Sequence, residues 1–390
     1  MTYRTSHPRY KHSGAGIAHR TSLLALRFLF LFATCCLLST AAISAEWPMF
    51  MKDAVHSSHS NESLALPLKN KWVFRTNGPI YSSPVVAEKR VFIGSYDTYL
   101  YAFNADSGAL LWKFKTGGPI LSTPSVSEST VYFGSKDGWI YAVEAKEGKL
   151  LWKYETGGKL LTSPLVAEGT LYIGSNDYYL YAIGAKDGKL LWRAKQVDYK
   201  YGGLYASPVY WEGIVYTAAK SGIINALDAK SGARIWTHRT VSAIYSSPVI
   251  NNGNFYIATY NRFLLALDAK KGTWGWQSEL GEWPYSSPTI VKDSIYIGLK
   301  NGIVKSFDIK DGKFKKEYKF PDELNSTMAV LKDSIALVGC EDGGLYAVHL
   351  EKNEVVLQYM TNGGIHSSPA IANGMVYVGS KDGFVYAFGQ

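Results

Sequence analysis

The sequence predicts an all-β protein, an eight-bladed β-propeller of four-stranded antiparallel blades. Three observations carry this. A Ser/Thr-Pro step recurs at Pro84, Pro124, Pro164, Pro208, Pro248, Pro288 and Pro369, with a degenerate copy at Ser326-Thr327-Met328. Successive copies stand 40, 40, 44, 40, 40, 40 and 41 residues apart, the length of a propeller blade. Each unit holds four short strand signals parted by turns rich in Gly, Asp, Asn and Lys, and none shows a ten-residue helical period. Composition agrees: 14% aromatic residues and 37 Gly in 390 residues favour strands and tight turns. With 47% hydrophobic and 19% charged residues, the chain can bury a core and is not of the disordered class.

Taken in chain order, residues 1–45 come first. They carry five basic residues and no acidic one, and Phe28–Ile43 is an uncharged apolar run followed by small residues ending at Ala45. That is the layout of a secretory signal peptide, expected to be cleaved after Ala45 with export as its consequence and no stable membrane span afterwards; an uncleaved anchor is the alternative. Sixteen apolar residues rise roughly 24 Å as a helix, short of the ~30 Å bilayer core. Outside the leader the charge falls from +9 to +4, so the basic balance does not argue for nucleic acid. Residues 46–71 read as a lead-in segment. Its His56-Ser-Ser-His59 pair has metal-like spacing but is read as a solvated loop.

The propeller is expected over 72–390, as one domain. In the first unit the strands are expected at Pro84–Val86, Arg90–Gly94, Tyr99–Asn104 and Leu110–Lys115. The last unit stops after its third strand at Gln390, while Lys71–Arg75 resembles a lone fourth strand. That segment should complete the eighth blade and close the ring, removing exposed edges. Trp72, Trp112, Trp152, Trp192, Trp236 and Trp276 recur in the fourth strand and are read as blade-docking residues. Lys316 and Leu357 replace Trp in the sixth and seventh units, which should dock more weakly. Small residues such as Ala102 permit close packing in the third strand, and Gly108 and its equivalents are expected at φ > 0 in the following turn.

The pattern Ala-x-(Asp/Asn/Glu)-Ala-x-x-Gly-x-x-x-Trp, as in Ala102 to Trp112 and Ala226 to Trp236, resembles the pyrroloquinoline quinone (PQQ) repeat. The opening from Trp47 to His56 is similar to the start of many exported PQQ-repeat proteins. The resemblance implies an eight-bladed propeller and two functional classes. Quinoprotein dehydrogenases hold PQQ and Ca²⁺. BamB-like propellers of the outer-membrane barrel-assembly machinery bind partners and are not enzymes. The sequence departs from the dehydrogenases. Its blades have almost no insertions, and its only adjacent cysteines, Cys35-Cys36, lie in the leader. It also departs from BamB, which is usually lipidated, because Phe32-Ala33-Thr34 before Cys35 matches a lipidation box poorly.

The expectation is therefore a non-catalytic, cofactor-free, monomeric scaffold. It would sit in the periplasm or at the outer membrane and bind envelope proteins or peptides. A PQQ-dependent dehydrogenase-like enzyme and a polysaccharide-binding propeller are the alternatives. Catalytic residues are not assigned, and Cys340 is read as a buried thiol. Strand order puts the loop before each first strand and the turn between strands two and three on one face, the top. Tyr81, Leu121, Leu161, Tyr205, Tyr245, Tyr285, Asn325 and His366 should ring the channel mouth there. Turn positions Tyr96, Tyr99, Trp139, Tyr178, Tyr179, Tyr260 and Phe263 should add to it, as should Tyr199 and Tyr201 from the four-residue insertion and Trp283 beside Tyr285. Partner binding is assigned to Tyr81, Tyr205, Tyr245, Tyr285, Trp283, His366, Trp139 and Tyr178. Turns such as Lys146–Lys149 and Lys310–Lys313 make the opposite face a charged rim.

Overall fold

The computed structural model describes residues 46–197 and 203–390. The leader, and with it the expected cleavage site, lies outside them, as do Tyr199 and Tyr201. The described residues form eight four-stranded sheets and no helix, so no helix among them is long and apolar enough to cross a membrane. Blade 1 comprises Val85–Ala87, Arg90–Gly94, Tyr99–Asn104 and Leu110–Lys115, so three of the four strand spans read from sequence hold as written. The innermost strands are three residues or fewer, because the chain must turn sharply at the crowded axis. The second and third strands are almost wholly buried, while fourth strands read exposed or half-buried at alternate positions.

Closure occurs as the repeat requires. The strand Lys69–Arg75 pairs antiparallel with Phe384–Gly389, with Trp72 opposite Ala387, and supplies the outer strand of blade 8. Blade docking is a paired device. The indole of Trp72 donates to the Ala105 carbonyl of blade 1 at 2.9 Å. The turn glycine Gly108 lies against it at φ 70°, where a Cβ would meet Trp72 Cδ2 at 2.5 Å. The same indole-to-carbonyl bond links Trp112, Trp152, Trp192, Trp236 and Trp276 to the blades that follow. Glycine is thus required twice over, by the left-handed turn and by the ring that covers it.

The two interfaces without Trp are filled by other side chains. At blade 6, Lys316 faces Ser306 where Trp would stand, and its ammonium reaches 3.5 Å from the Leu350 carbonyl. Tyr318, almost fully buried, donates to the same carbonyl at 2.9 Å. The matching turn glycine is gone too, replaced by Asn353 at φ 58°. A half-open pocket of about 230 Å³ remains, lined by Val291, Tyr296 and Leu350 together with Lys292, Lys315 and Glu351. In blade 7 the bulge moves, so Ala347 faces Val356 and not Leu357. Leu64 and Leu68 of the lead-in pack into this region, and Gln358 accepts the Leu68 N–H at 3.1 Å.

The Ser/Thr before each proline builds a closed hydrogen-bonded ring. Its backbone N–H donates to the hydroxyl of its counterpart in the next blade. The series runs Ser83, Thr123, Ser163, Ser207, Ser247, Ser287, Thr327, Ser368 and back to Ser83, at 2.8 to 3.1 Å. The preceding hydroxyl works within the blade: Ser122 Oγ bonds both the Gly134 carbonyl and the Gly134 N–H. Thr327 keeps its place in the ring although Met328 replaces proline.

The lead-in is not a solvated loop. It crosses the channel at the end opposite the top and pairs with the free edges of innermost strands. Val86, Val126, Tyr210, Ile250 and Val330 donate their N–H groups to Trp47, Pro48, Ala54, Val55 and Ser58. Trp47 and Met51 are buried. Asp53 holds the turn by accepting from the N–H groups of Val55 and Ser57. Packing and edge pairing win over the polar character of this stretch because the inner edges offer backbone N–H groups to bond and the channel end offers apolar sites where Trp47 and Met51 are buried.

His56 is 2% exposed and its Nδ1 lies 2.8 Å from the Pro248 carbonyl. Burial pulls its pKa down to about 4. The unfolded chain, with an ordinary value near 6.5, then binds a proton that the folded one refuses between pH 6.5 and 4. Stability is full above that window and lost as pH falls through it, by about 2 kcal/mol at pH 5. Thermal melts at pH 7.5 and 5 should show a smaller loss for His56→Gln than for wild type. Equal losses would remove His56 as the cause.

Candidate partner-binding mouth

The top face is a braced collar. In each blade the turn between strands two and three bonds the loop that leads into the first strand, as Tyr96 N–H to the Pro79 carbonyl and Lys300 N–H to the Trp283 carbonyl. The turns of blades 1, 2, 6, 7 and 8 also bond the following blade's loop, as Ile120 N–H to the Ser95 carbonyl, whereas at the matching place in the blade 6 loop Pro284 has no N–H to give. The side chains on these loops therefore stand on fixed backbone just above the hydroxyl ring.

Two clusters form there. Over blades 4 to 6, Tyr205 and Tyr245 meet edge-on at 5.6 Å, and Tyr245 meets Tyr260 at 5.5 Å. Tyr260 stacks on Trp283 at 5.3 Å and 4°. Burial, with a hydrogen bond to Tyr260, raises the Tyr285 phenol pKa. Trp283 and Tyr285 are each 36% exposed. The Lys220 ammonium lies 5.8 and 5.7 Å from the Tyr205 and Tyr245 rings, and Lys300 lies 5.4 Å from Trp283. Such cation–ring contacts add modest attraction at half-exposed sites.

The second cluster spans blades 7, 8 and 1. Tyr81 meets the His366 ring edge-on at 5.5 Å. The Glu341 carboxylate takes both Lys381 and His366. Burial would raise the Glu341 pKa, but these two partners outweigh it and hold the carboxyl below its usual range. Burial likewise keeps His366 below its ordinary value despite Glu341. This cluster satisfies its own charges.

Of the sequence-assigned residues, Tyr205, Tyr245, Tyr285 and Trp283 share the first cluster, and Tyr81 and His366 the second. Trp139 and Tyr178 join neither. Trp139 heads a third strand, outward of the mouth, under Lys153 at 4.2 Å. Tyr178 packs against the core that holds Val197 and Leu204. Residue-by-residue reading missed Lys220 and Lys300. The signal was available, since both fall at the repeat position of Tyr96 and Tyr260. Cys340 is buried, its thiol 3.3 Å from the Asp322 carbonyl and pushed up to about 12.

The family model for the outer membrane protein assembly factor BamB matches residues 67–125, 97–207 and 198–323. The chain belongs to the BamB family. Among solved structures this BamB-family chain is similar to BamB from Moraxella catarrhalis, at 19% identity and TM-score 0.71, over 83% of this chain and all of that one. It is also similar to a europium-containing methanol dehydrogenase, at 13% identity and TM-score 0.78, over 89% of this chain and 98% of that one. A quinohemoprotein alcohol dehydrogenase from Comamonas testosteroni matches at 15% identity and TM-score 0.78, over 88% and 80%. Identities this low show the fold alone. The curated proteins give no match.

The mouth of this BamB-family propeller does not suit Ca²⁺, which takes six to eight oxygen ligands. Four of the eight equivalent turn positions carry ammonium groups, Lys136, Lys220, Lys300 and Lys381, and the one carboxylate among them, Glu341, is taken by Lys381 and His366. Among the described residues no three His, Cys, Asp or Glu side chains converge as a metal site.

Proposed function

We propose that this protein is an exported, non-catalytic scaffold of the bacterial envelope that binds partner proteins through its top mouth, as part of outer-membrane protein assembly or a similar process. It works without PQQ or Ca²⁺. Membership of the BamB family supports the class of role and the envelope location. One observation carries the mode of binding: a half-exposed aromatic strip, from Tyr205 to Tyr285, held on a collar whose opposite channel end is blocked by the chain's own lead-in. Rigid Tyr and Trp side chains give large contact area at low entropic cost and are enriched among interface anchors.

Tyr245→Ala with Tyr285→Ala should weaken capture of the envelope partner at least ~100-fold, at ~2 kcal/mol or more per anchor. The melting temperature is read on the same variant, because Tyr245 also touches its neighbours. Unchanged capture by the folded variant would overturn the mouth as the binding surface. Quinone-dependent dye reduction by wild-type protein would overturn the non-catalytic reading, and retention on polysaccharide alone would favour a carbohydrate binder.

A further inference from the structure

The top turns are not equivalent around the ring. In blades 1, 2, 3, 7 and 8 the turn carries Asp97, Asp137, Asp177, Asp342 or Asp382. Each of these accepts the hydroxyl of a third-strand tyrosine, Tyr101, Tyr141, Tyr181, Tyr346 or Tyr386, at 2.5 to 2.8 Å. In blades 4, 5 and 6 both halves of this pair are gone. The acid becomes Ser221, Asn261 and Asn301, and the tyrosine becomes Asn225, Leu265 and Lys305. Loss of both members together in three consecutive blades removes every repeat carboxylate from one sector of the collar.

That same sector carries the aromatic strip and the cations Lys220, Arg262 and Lys300, with Lys305 beside the Gly281 loop and one loop carboxylate, Glu282, which accepts the Trp283 N–H at 2.8 Å. Lys220 and Arg262 are exposed. Among the described residues neither makes an ion pair, and Arg262 Nη1 lies only at 3.5 Å from the Gly281 carbonyl. Lys300 has a loose, half-exposed pair with Glu323 at 3.6 Å. By contrast, the Glu341–His366–Lys381 cluster across the mouth is internally neutralised. An ammonium lying against two phenol rings attracts a carboxylate while the rings accept an aromatic or apolar neighbour.

We propose that the sector over blades 4 to 6 selects an extended acidic segment of a partner protein, with aromatic side chains interspersed among its carboxylates. This rests on the scaffold reading above and adds the chemistry of what is bound. The carboxylates lie on Lys220, Arg262 and Lys300, and the rings lie on Tyr245, Tyr260 and Trp283. Charge complementarity sets which segment binds and how fast, and salt weakens it.

The test uses the mature protein and a fluorescein-labelled peptide, Gly-Glu-Tyr-Glu-Phe-Glu-Gly, followed by anisotropy. Saturable binding is expected, weaker by tenfold or more when Gln replaces Glu or when salt rises from about 0.05 to about 0.5 M, which shortens the Debye length from about 14 to about 4 Å. Lys220→Glu with Arg262→Glu should lose the Glu peptide at least tenfold and gain its Lys counterpart. Lys136→Glu, on blade 2, should change neither by more than twofold. Equal binding of Glu and Gln peptides, absence of saturable binding, or equal loss with Lys136→Glu overturns the proposal. So does an oligonucleotide that competes as well as the peptide, which would mark a general anion site. If the acidic peptide proves indifferent to Lys220→Glu while the Tyr245/Tyr285 variant still loses its envelope partner, the acid preference falls and the scaffold reading stands. If the charge swap behaves as stated but the tyrosine variant captures normally, the scaffold mode falls instead.

Discussion

Removing residues 46–76 is expected to unfold the whole ring, whereas removing 46–62 alone should cost only part of its stability. The shorter deletion strips the channel plug. It frees five inner-strand N–H groups and exposes the sites of Trp47 and Met51. Water can enter the opened channel and satisfy the N–H groups, so the main loss is apolar burial, at about 1.5–3 kcal/mol per large side chain. The longer deletion also takes Lys69–Arg75. It leaves Phe384–Gly389 as a bare edge and removes the Trp72 bond to blade 1. Bare apolar edges pair with other chains. Size-exclusion chromatography and urea melts should therefore give a soluble, less stable monomer for the first and aggregates for the second. Equal melting of the longer deletion and wild type would refute closure as the source of stability.

Trp112→Ala is expected to cost about 3 kcal/mol, the low end of the range for a large buried aromatic, because its ring is only partly buried. Gly148→Ala should cost a similar amount for two reasons. At φ 71° an L-residue is strained by about 1–2 kcal/mol, and its Cβ would stand 2.6 Å from Trp112 Cδ2, displacing the ring. The double variant should cost less than the sum by at least ~1 kcal/mol, because the clash exists only while the indole is there. Urea midpoints of the three variants measure this. Strict additivity would mean the turn strain alone explains the glycine. The interface between blades 6 and 7 shows the same coupling, since Lys316 and Asn353 replace both members of the pair.

The architecture was legible because the repeat writes it eight times. Ser/Thr-Pro spacing located the blades, and Trp72 stripped of a preceding unit located the closing strand. What the serines do was less legible. A hydroxyl that accepts from the neighbouring blade, as Thr123 does from Ser83, looks the same in sequence as one that shapes a turn. The lead-in escaped because its order comes from edges already formed in other blades, with no periodicity of its own. His56 consequently read as solvated although it is buried. At the mouth, the tyrosines were found by counting back from each proline. Their partition into two clusters was not, since it depends on which neighbours Lys220 and Glu341 reach in the next blade of the ring.

The closing pair has a kinetic consequence. A chain made from its N-terminus delivers Lys69–Arg75 before any blade exists, yet its partner strand, Phe384–Gly389, arrives last. Individual blades can form from local hairpins on their own, but the ring gains its final contacts only by joining distant parts of the sequence. Loop-closure entropy grows slowly with length, so the join is thermodynamically cheap. It is late all the same, and until it happens two strand edges stand open at once. Folding of this protein should be limited by that last join, with the unjoined intermediate as the species most prone to associate with its own kind.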